Sequence, residues 1–301
     1  MNVFSNEDYV LLAEDIIHDS FYANNSISGK IQAERRCAEL IVRKVLCLSE
    51  SKKITLGSKD ISKKISNLPH HSFLEKALDG LRIYADPCSH TDRPIPPSNE
   101  DYEKSTECLL DLFSYLPIRY FDKYEFGKNG PVMRAFSLLP PIIRFKTLDY
   151  LFSLDNKNVF IIDRLVLVIL KTKGSEKAIE WIDYHKNELM LLNISENLYT
   201  KFAQLVGAEN SKRIIDELPK NMYELCKEKI ELLRSEFDGK KSMYSTFEEA
   251  FPYYINNGHL EESSEENREF NDMMEFLYLG RKANNTDKLE DPFVIIKMIG
   301  V

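Results

Sequence analysis

Arg82, Asp86 and His90 are the side chains of this chain whose types and spacing suit chemistry. They lie in Leu74–Thr91, LEKALDGLRIYADPCSHT. Arg82 and Asp86 are four residues apart, the spacing at which two side chains meet on one helix face. His90 follows at the same interval. A histidine gives or takes a proton near neutral pH, and an arginine stabilises developing negative charge. The candidates for catalysis are therefore Arg82, Asp86 and His90.

The element that must position them is a helix. Leu74, Ala77, Leu78, Leu81 and Tyr84 recur at helical spacing, so Phe73–Asp86 reads as an amphipathic helix with one buried face. Pro87 carries no backbone N–H and is expected to end it, leaving Cys88, Ser89 and His90 in the turn beyond.

These residues resemble the signature R-x-x-G-N-x-x-x-H, which closes the main helical hairpin in a prokaryotic branch of the HEPN superfamily (higher eukaryotes and prokaryotes nucleotide-binding). Arg82 and His90 fall on its Arg and His, with Ala85 at the usual Gly and Asp86 at the usual Asn. Gln32–Lys44, QAERRCAELIVRK, resembles the Arg-rich helix of that branch, in which an R-x-x-E pair, here Arg36 and Glu39, precedes an apolar run. Leu56–Leu68, LGSKDISKKISNL, resembles the segment between them. The likeness spans roughly residues 5–125.

The resemblance implies an up-and-down helical bundle that pairs as a homodimer. It also implies a bacterial phage-defence or toxin–antitoxin setting. In the ribonucleases of the superfamily two such motifs meet across the dimer, so that His and Arg surround one scissile phosphate. This chain departs from that pattern in two ways. Ala85 stands where an Arg is wanted, and an acid at position 86 repels a phosphate or neutralises Arg82. The reading is a non-catalytic or weakly catalytic HEPN-like interaction module. The alternatives are a metal-independent endoribonuclease using His90 and Arg82, and a purely structural scaffold.

Charge sets the wider bounds. A formal net charge of −8 argues against a protein that simply coats nucleic acid. Lys30–Lys64 nonetheless holds ten Lys and Arg against four acids, while Glu261–Glu275 holds seven acids against Arg268. A solvated helix face explains both runs. A basic surface that meets phosphates is the sharper reading of the first, with Arg35, Arg36, Arg43 and Lys44 as RNA or phosphate contacts. Arg36 and Glu39 form the expected structural pair.

The rest of the chain reads as helices throughout, so the fold class is all-α. Asn6–Ala23, Ile31–Leu48, Lys59–Asn67 and Asp101–Leu116 join the Phe73–Asp86 helix in an N-terminal bundle. Phe126–Pro131, FGKNGP, is the linker candidate and divides residues 1–127 from a helical partner-recognition domain at 128–301. In that second part Met133–Leu139, Ile142–Leu154, Val159–Thr172, a helix opening at Ser175, Leu189–Gly207, Ser211–Leu218, Met222–Phe237 and Glu265–Leu279 suggest an irregular bundle or short α-solenoid. Phe293–Ile299, FVIIKMI, is a possible short β tail.

Other chemistry is missing from the sequence. No phosphate-binding glycine loop or hydrolase motif occurs, so no cofactor is expected. Five cysteines without C-x-x-C spacing and six scattered histidines argue for free thiols and no metal. His70–His71 reads as a surface turn. The longest apolar run, Val159–Leu170, is broken by Asp163 and Arg164, so no membrane span is expected, and no secretory signal is read. A cytoplasmic location follows from these readings, and a partner protein is what the HEPN-like resemblance implies.

Overall fold

A computed structural model of the chain describes residues 7–89, 95–193, 220–237 and 244–283. The protein is all-α. Twelve helices form among the described residues, with no strand and one isolated bridge, Asn193 to Asn221. None of these helices is long and apolar enough to cross a membrane. The readings of Ser211–Leu218 as a helix and Phe293–Ile299 as a β tail lie outside the described residues, as does most of Leu189–Gly207.

Packing divides the chain into two units, residues 1–143 with 246–301, and residues 144–245. The boundary expected between residues 127 and 128 falls inside the first unit. The physical reason is Phe126. Its ring sits 4.7 Å from Phe121 and 5.8 Å from Phe136, so the FGKNGP turn is pinned by an aromatic cluster.

The first unit begins with α1 (Glu7–Phe21) and α2 (Ile27–Val45). Ser26 starts α2 earlier than the periodicity suggests, because its Oγ accepts from the Gly29 N–H at 3.2 Å. Short α3 (Lys59–Ile65) is capped by Ser58 in the same way. Then come α4 (His71–Ser89) and α5 (Asn99–Lys123). A reciprocal Ser98–Asp101 capping box opens α5. The core lies where α2, α4 and α5 meet. It is filled by Ile31, Ala38, Ile41 and Val42 of α2, Leu74, Leu78 and Leu81 of α4, and Leu109, Leu112 and Phe113 of α5. Ala85, rather than Tyr84, completes the buried stripe of α4.

The expected end of the fifth helix at Leu116 is corrected. α5 continues through Pro117 for almost two further turns. A mid-helix proline costs about 3 kcal/mol. Beyond it Ile118, Tyr120 and Phe121 are buried, each contributing roughly 1.5–3 kcal/mol. Burial therefore outweighs the proline. α6 (Gly130–Phe136), α11 (Phe247–Asn257) and α12 (Glu265–Tyr278) complete this unit. Tyr120 packs edge-on against Phe270 of α12 at 5.3 Å, and the Tyr278 hydroxyl donates to the Leu138 carbonyl at 2.8 Å.

The division between units falls within α7 (Pro141–Leu154). The second unit is built on α8 (Val159–Tyr184), which breaks at Gly174 where the sequence reading starts a new helix at Ser175. Its apolar run, with Ile162, Leu165, Val166 and Ile169 buried, packs on α10 (Met222–Phe237) through Cys226, Ile230 and Leu233. Short α9 (Lys186–Met190) follows α8. Across α8 and α10 Lys229 pairs with Asp163, and the Tyr223 hydroxyl donates to Asp183 at 2.8 Å.

Candidate functional site

The Arg82 corner is built from the ends of α2 and α4. α4 does not stop at Asp86 but runs to Ser89, so Cys88 and Ser89 are helical rather than in a turn. Pro87 lies in the last turn and forfeits only one helical bond. Local side chains support that turn. Ser89 Oγ donates to the Ala85 carbonyl at 3.1 Å, Cys88 Sγ to the Tyr84 carbonyl at 3.3 Å, and Gln32 Nε2 of α2 to the Cys88 carbonyl. His90 lies outside the described residues.

Asp86 is the hub of the corner. It pairs with Arg35 Nη1, reaching across from α2, and with Arg82 Nε at 3.5 Å on its own helix. Arg82 Nη1 in turn lies 3.3 Å from Asp79 Oδ1. The Arg82 guanidinium rests on Gly57, where a Cβ would fall 2.7 Å from Arg82 Cζ. The φ of +118° at Gly57 is one that side chains rarely adopt, so only glycine seats the arginine here. Two arginines thus face two aspartates. Arg82 and Asp86 are 37 % and 36 % exposed, so each pair alone contributes about 0–1 kcal/mol, and the joined set is what ties α2 to α4.

This arrangement has a chemical consequence. An arginine held between two carboxylates stabilises a phosphorane poorly, because the approaching phosphate meets Asp79 and Asp86 as well. Sequence spacing finds the Arg82–Asp86 pair but misses Arg35, Asp79 and Gly57. Arg35 and Asp86 are 51 residues apart, and nothing local in the sequence signals their meeting.

The four candidate phosphate contacts do not form one surface. Arg35 is spent on Asp86, and Arg36 reaches Asp19 at 3.5 Å rather than Glu39. The expected Arg36–Glu39 pair is therefore replaced by a contact between α2 and α1. Burial pushes the Glu39 carboxyl above its usual range, and Arg35, more than Arg36, opposes that shift. Arg43 is buried, donating to the carbonyls of Ser49 and Lys52 (the latter at 2.7 Å) and lying over the Tyr9 ring at 5.4 Å. Its role is to cap the loop after α2. Lys44 has no such carbonyl or carboxylate partner among the described residues and lines a different cleft.

A buried carboxyl lies inside the bundle. Glu34 of α2 is fully buried and accepts hydrogen bonds from Ser105 Oγ and from Thr106 Oγ1 at 2.5 Å, both on α5. Burial pushes its carboxyl up to about 7, and the two hydroxyls only partly oppose this. His70, read as a surface-turn residue, docks on Asp122 of α5 at 2.9 Å. Among the described residues no group of His, Cys, Asp and Glu side chains is placed to hold a metal ion.

Comparison with protein-family models, with curated proteins and with solved structures finds no match.

Proposed function

We propose that residues 1–143 with 246–301 act as a non-catalytic helical interaction module. Its setting is the one the HEPN-like resemblance implies, a cytoplasmic partner protein in bacterial phage defence or a toxin–antitoxin pair. The observation that carries the non-catalytic part is the Arg35–Asp86–Arg82–Asp79 set, which neutralises the arginine a ribonuclease would spend on its substrate. The engagement of Arg36 with Asp19 and of Arg43 with backbone carbonyls supports it, because with Arg35 they are three of the four α2 cations read as RNA contacts. Pairing of two copies through this bundle belongs to the same reading, and light scattering that gives a strict monomer at tens of micromolar removes it.

The test is incubation of the purified full chain with total RNA, with and without a chelator, beside Arg82→Ala and His90→Ala. The expected result is no cleavage above the buffer control for any of the three. Cleavage by the wild type that both substitutions reduce by about 10²–10⁴, the usual worth of a general acid–base or charge-stabilising group, overturns the proposal in favour of an endoribonuclease.

A further inference from the structure

A second place in the first unit is better suited to an anion than the Arg82 corner. A cleft of about 670 Å³ opens where the C-terminal end of α2 meets α5 and α12. Its apolar wall is formed by Leu48, Leu116 and Met273. Four cations line it, and two of them are already engaged. Arg43 is held by the carbonyls of Ser49 and Lys52, and Lys123 by Glu269 at 2.7 Å and Glu265 at 3.4 Å.

The other two are Lys44 and Arg119. Arg119 spends one guanidinium nitrogen on the Val45 carbonyl at 2.6 Å, and among the described residues its remaining donors are paired with no carboxylate within 4 Å. Lys44 sits over the Phe276 ring, 5.8 Å from its centroid, also with no carboxylate within 4 Å among the described residues. Burial holds its amine below the usual lysine range, and nearby Arg119 adds to that effect. Of the acids lining the cleft, Asp122 is taken by His70 and Glu269 by Lys123. Asp272 also lines the cleft, and its charge acts on Lys44. Two partly desolvated cations, neither in an ion pair with a described carboxylate, beside an apolar wall, favour an anionic head carried on an apolar body.

We propose that this cleft binds a small organic phosphate, with Arg119 and Lys44 on the phosphate oxygens and Leu48, Leu116 and Met273 against the apolar part. A planar guanidinium takes two oxygens of one phosphate, and the ammonium adds a point charge. A carboxylate offers one fewer oxygen and less charge, so it binds more weakly. The site is independent of the Arg82 corner, and neither reading stands or falls with the other.

The test is calorimetric titration of the full chain with phenyl phosphate, inorganic phosphate and benzoate at low salt. Phenyl phosphate should bind about tenfold or more tightly than either of the others, because only it uses both the cations and the apolar wall. Lys44→Gln should weaken it about tenfold, the scale of one charge-assisted hydrogen bond, while the far-ultraviolet dichroism and melting temperature stay close to wild type. Asp272→Asn should tighten it. No phenyl phosphate binding tighter than about 1 mM, or equal affinity in wild type and Lys44→Gln, overturns the proposal. Equal affinity for benzoate and phenyl phosphate also overturns it, as a carboxylate site.

Discussion

Glu34→Gln raises the melting temperature of the protein above neutral pH and leaves it nearly unchanged in acid. The folded carboxyl titrates at about 7 against a reference value of 4.5. The folded state therefore binds more protons than the unfolded one between those two values, and stability falls as pH rises through that window. Below it Glu34 is neutral in both states and costs nothing. Above it the buried carboxylate has two hydroxyl donors and no cation. The full penalty is roughly 3 kcal/mol at about 1.4 kcal/mol per unit, an order-of-magnitude figure. Glutamine keeps the shape and can accept from one hydroxyl while donating to the other. At about pH 8 it should recover about 2 kcal/mol, several degrees for a chain of this size. Melting curves of both proteins from about pH 4 to 8 check this. A wild-type minus Glu34→Gln difference that does not change with pH refutes it.

Arg281→Ala should be among the most destabilising single changes in the first unit. Gly280, at φ +67°, ends α12 where a Cβ would fall 2.9 Å from Glu14 Cα, so the chain passes close to α1 and turns Arg281 inward. The side chain is 2 % exposed. Its guanidinium lies 4.0 Å over Phe21, 4.3 Å over Phe247 and 5.4 Å from Phe113, with Nη1 3.6 Å from Glu248 Oε1. Among the described residues Nε and Nη2 find no hydrogen-bond acceptor, so the ring faces and Glu248 carry the charge. Alanine opens a cavity among three rings and strips Glu248 of its cation, leaving only the Tyr22 hydroxyl at 2.5 Å. The expected cost is about 4 kcal/mol. Arg281→Met with Glu248→Gln fills the space and removes both charges, and should restore most of the loss. Denaturant melts of the three proteins decide it, and Arg281→Ala within about 1 kcal/mol of wild type contradicts it.

The fold was legible where a helix carries its own signal. The apolar stripes of α2, α4 and α5 and the near-exact span of α10 follow from 3.6-residue periodicity and capping residues. Prolines misled the reading at α4 and α5, because the cost of Pro87 or Pro117 is local while the burial that offsets it comes from helices distant in sequence. FGKNGP reads as a linker by composition, yet Phe126 against Phe121 and Phe136, with Asn129 bonded to Asn267, makes it a packed turn. At the site, spacing reveals Arg82 with Asp86. It does not reveal which cations of the 30–64 stretch are spent, since Asp19, Asp86 and the Ser49 and Lys52 carbonyls reach them only in the folded chain. Lys44 and Arg119 come together for the same reason, from α2 and α5.

The most direct test of the structural role of the Arg82 corner is a double-mutant cycle between Arg35 and Asp86. Arg35→Ala, Asp86→Ala and the double variant are melted in denaturant at low salt, with Arg82 unchanged. If Asp86 latches α2 to α4 through Arg35, the two substitutions couple by about 1 kcal/mol, the upper end for a partly exposed pair within a network. Effects that simply add, to within about 0.3 kcal/mol, contradict the latch.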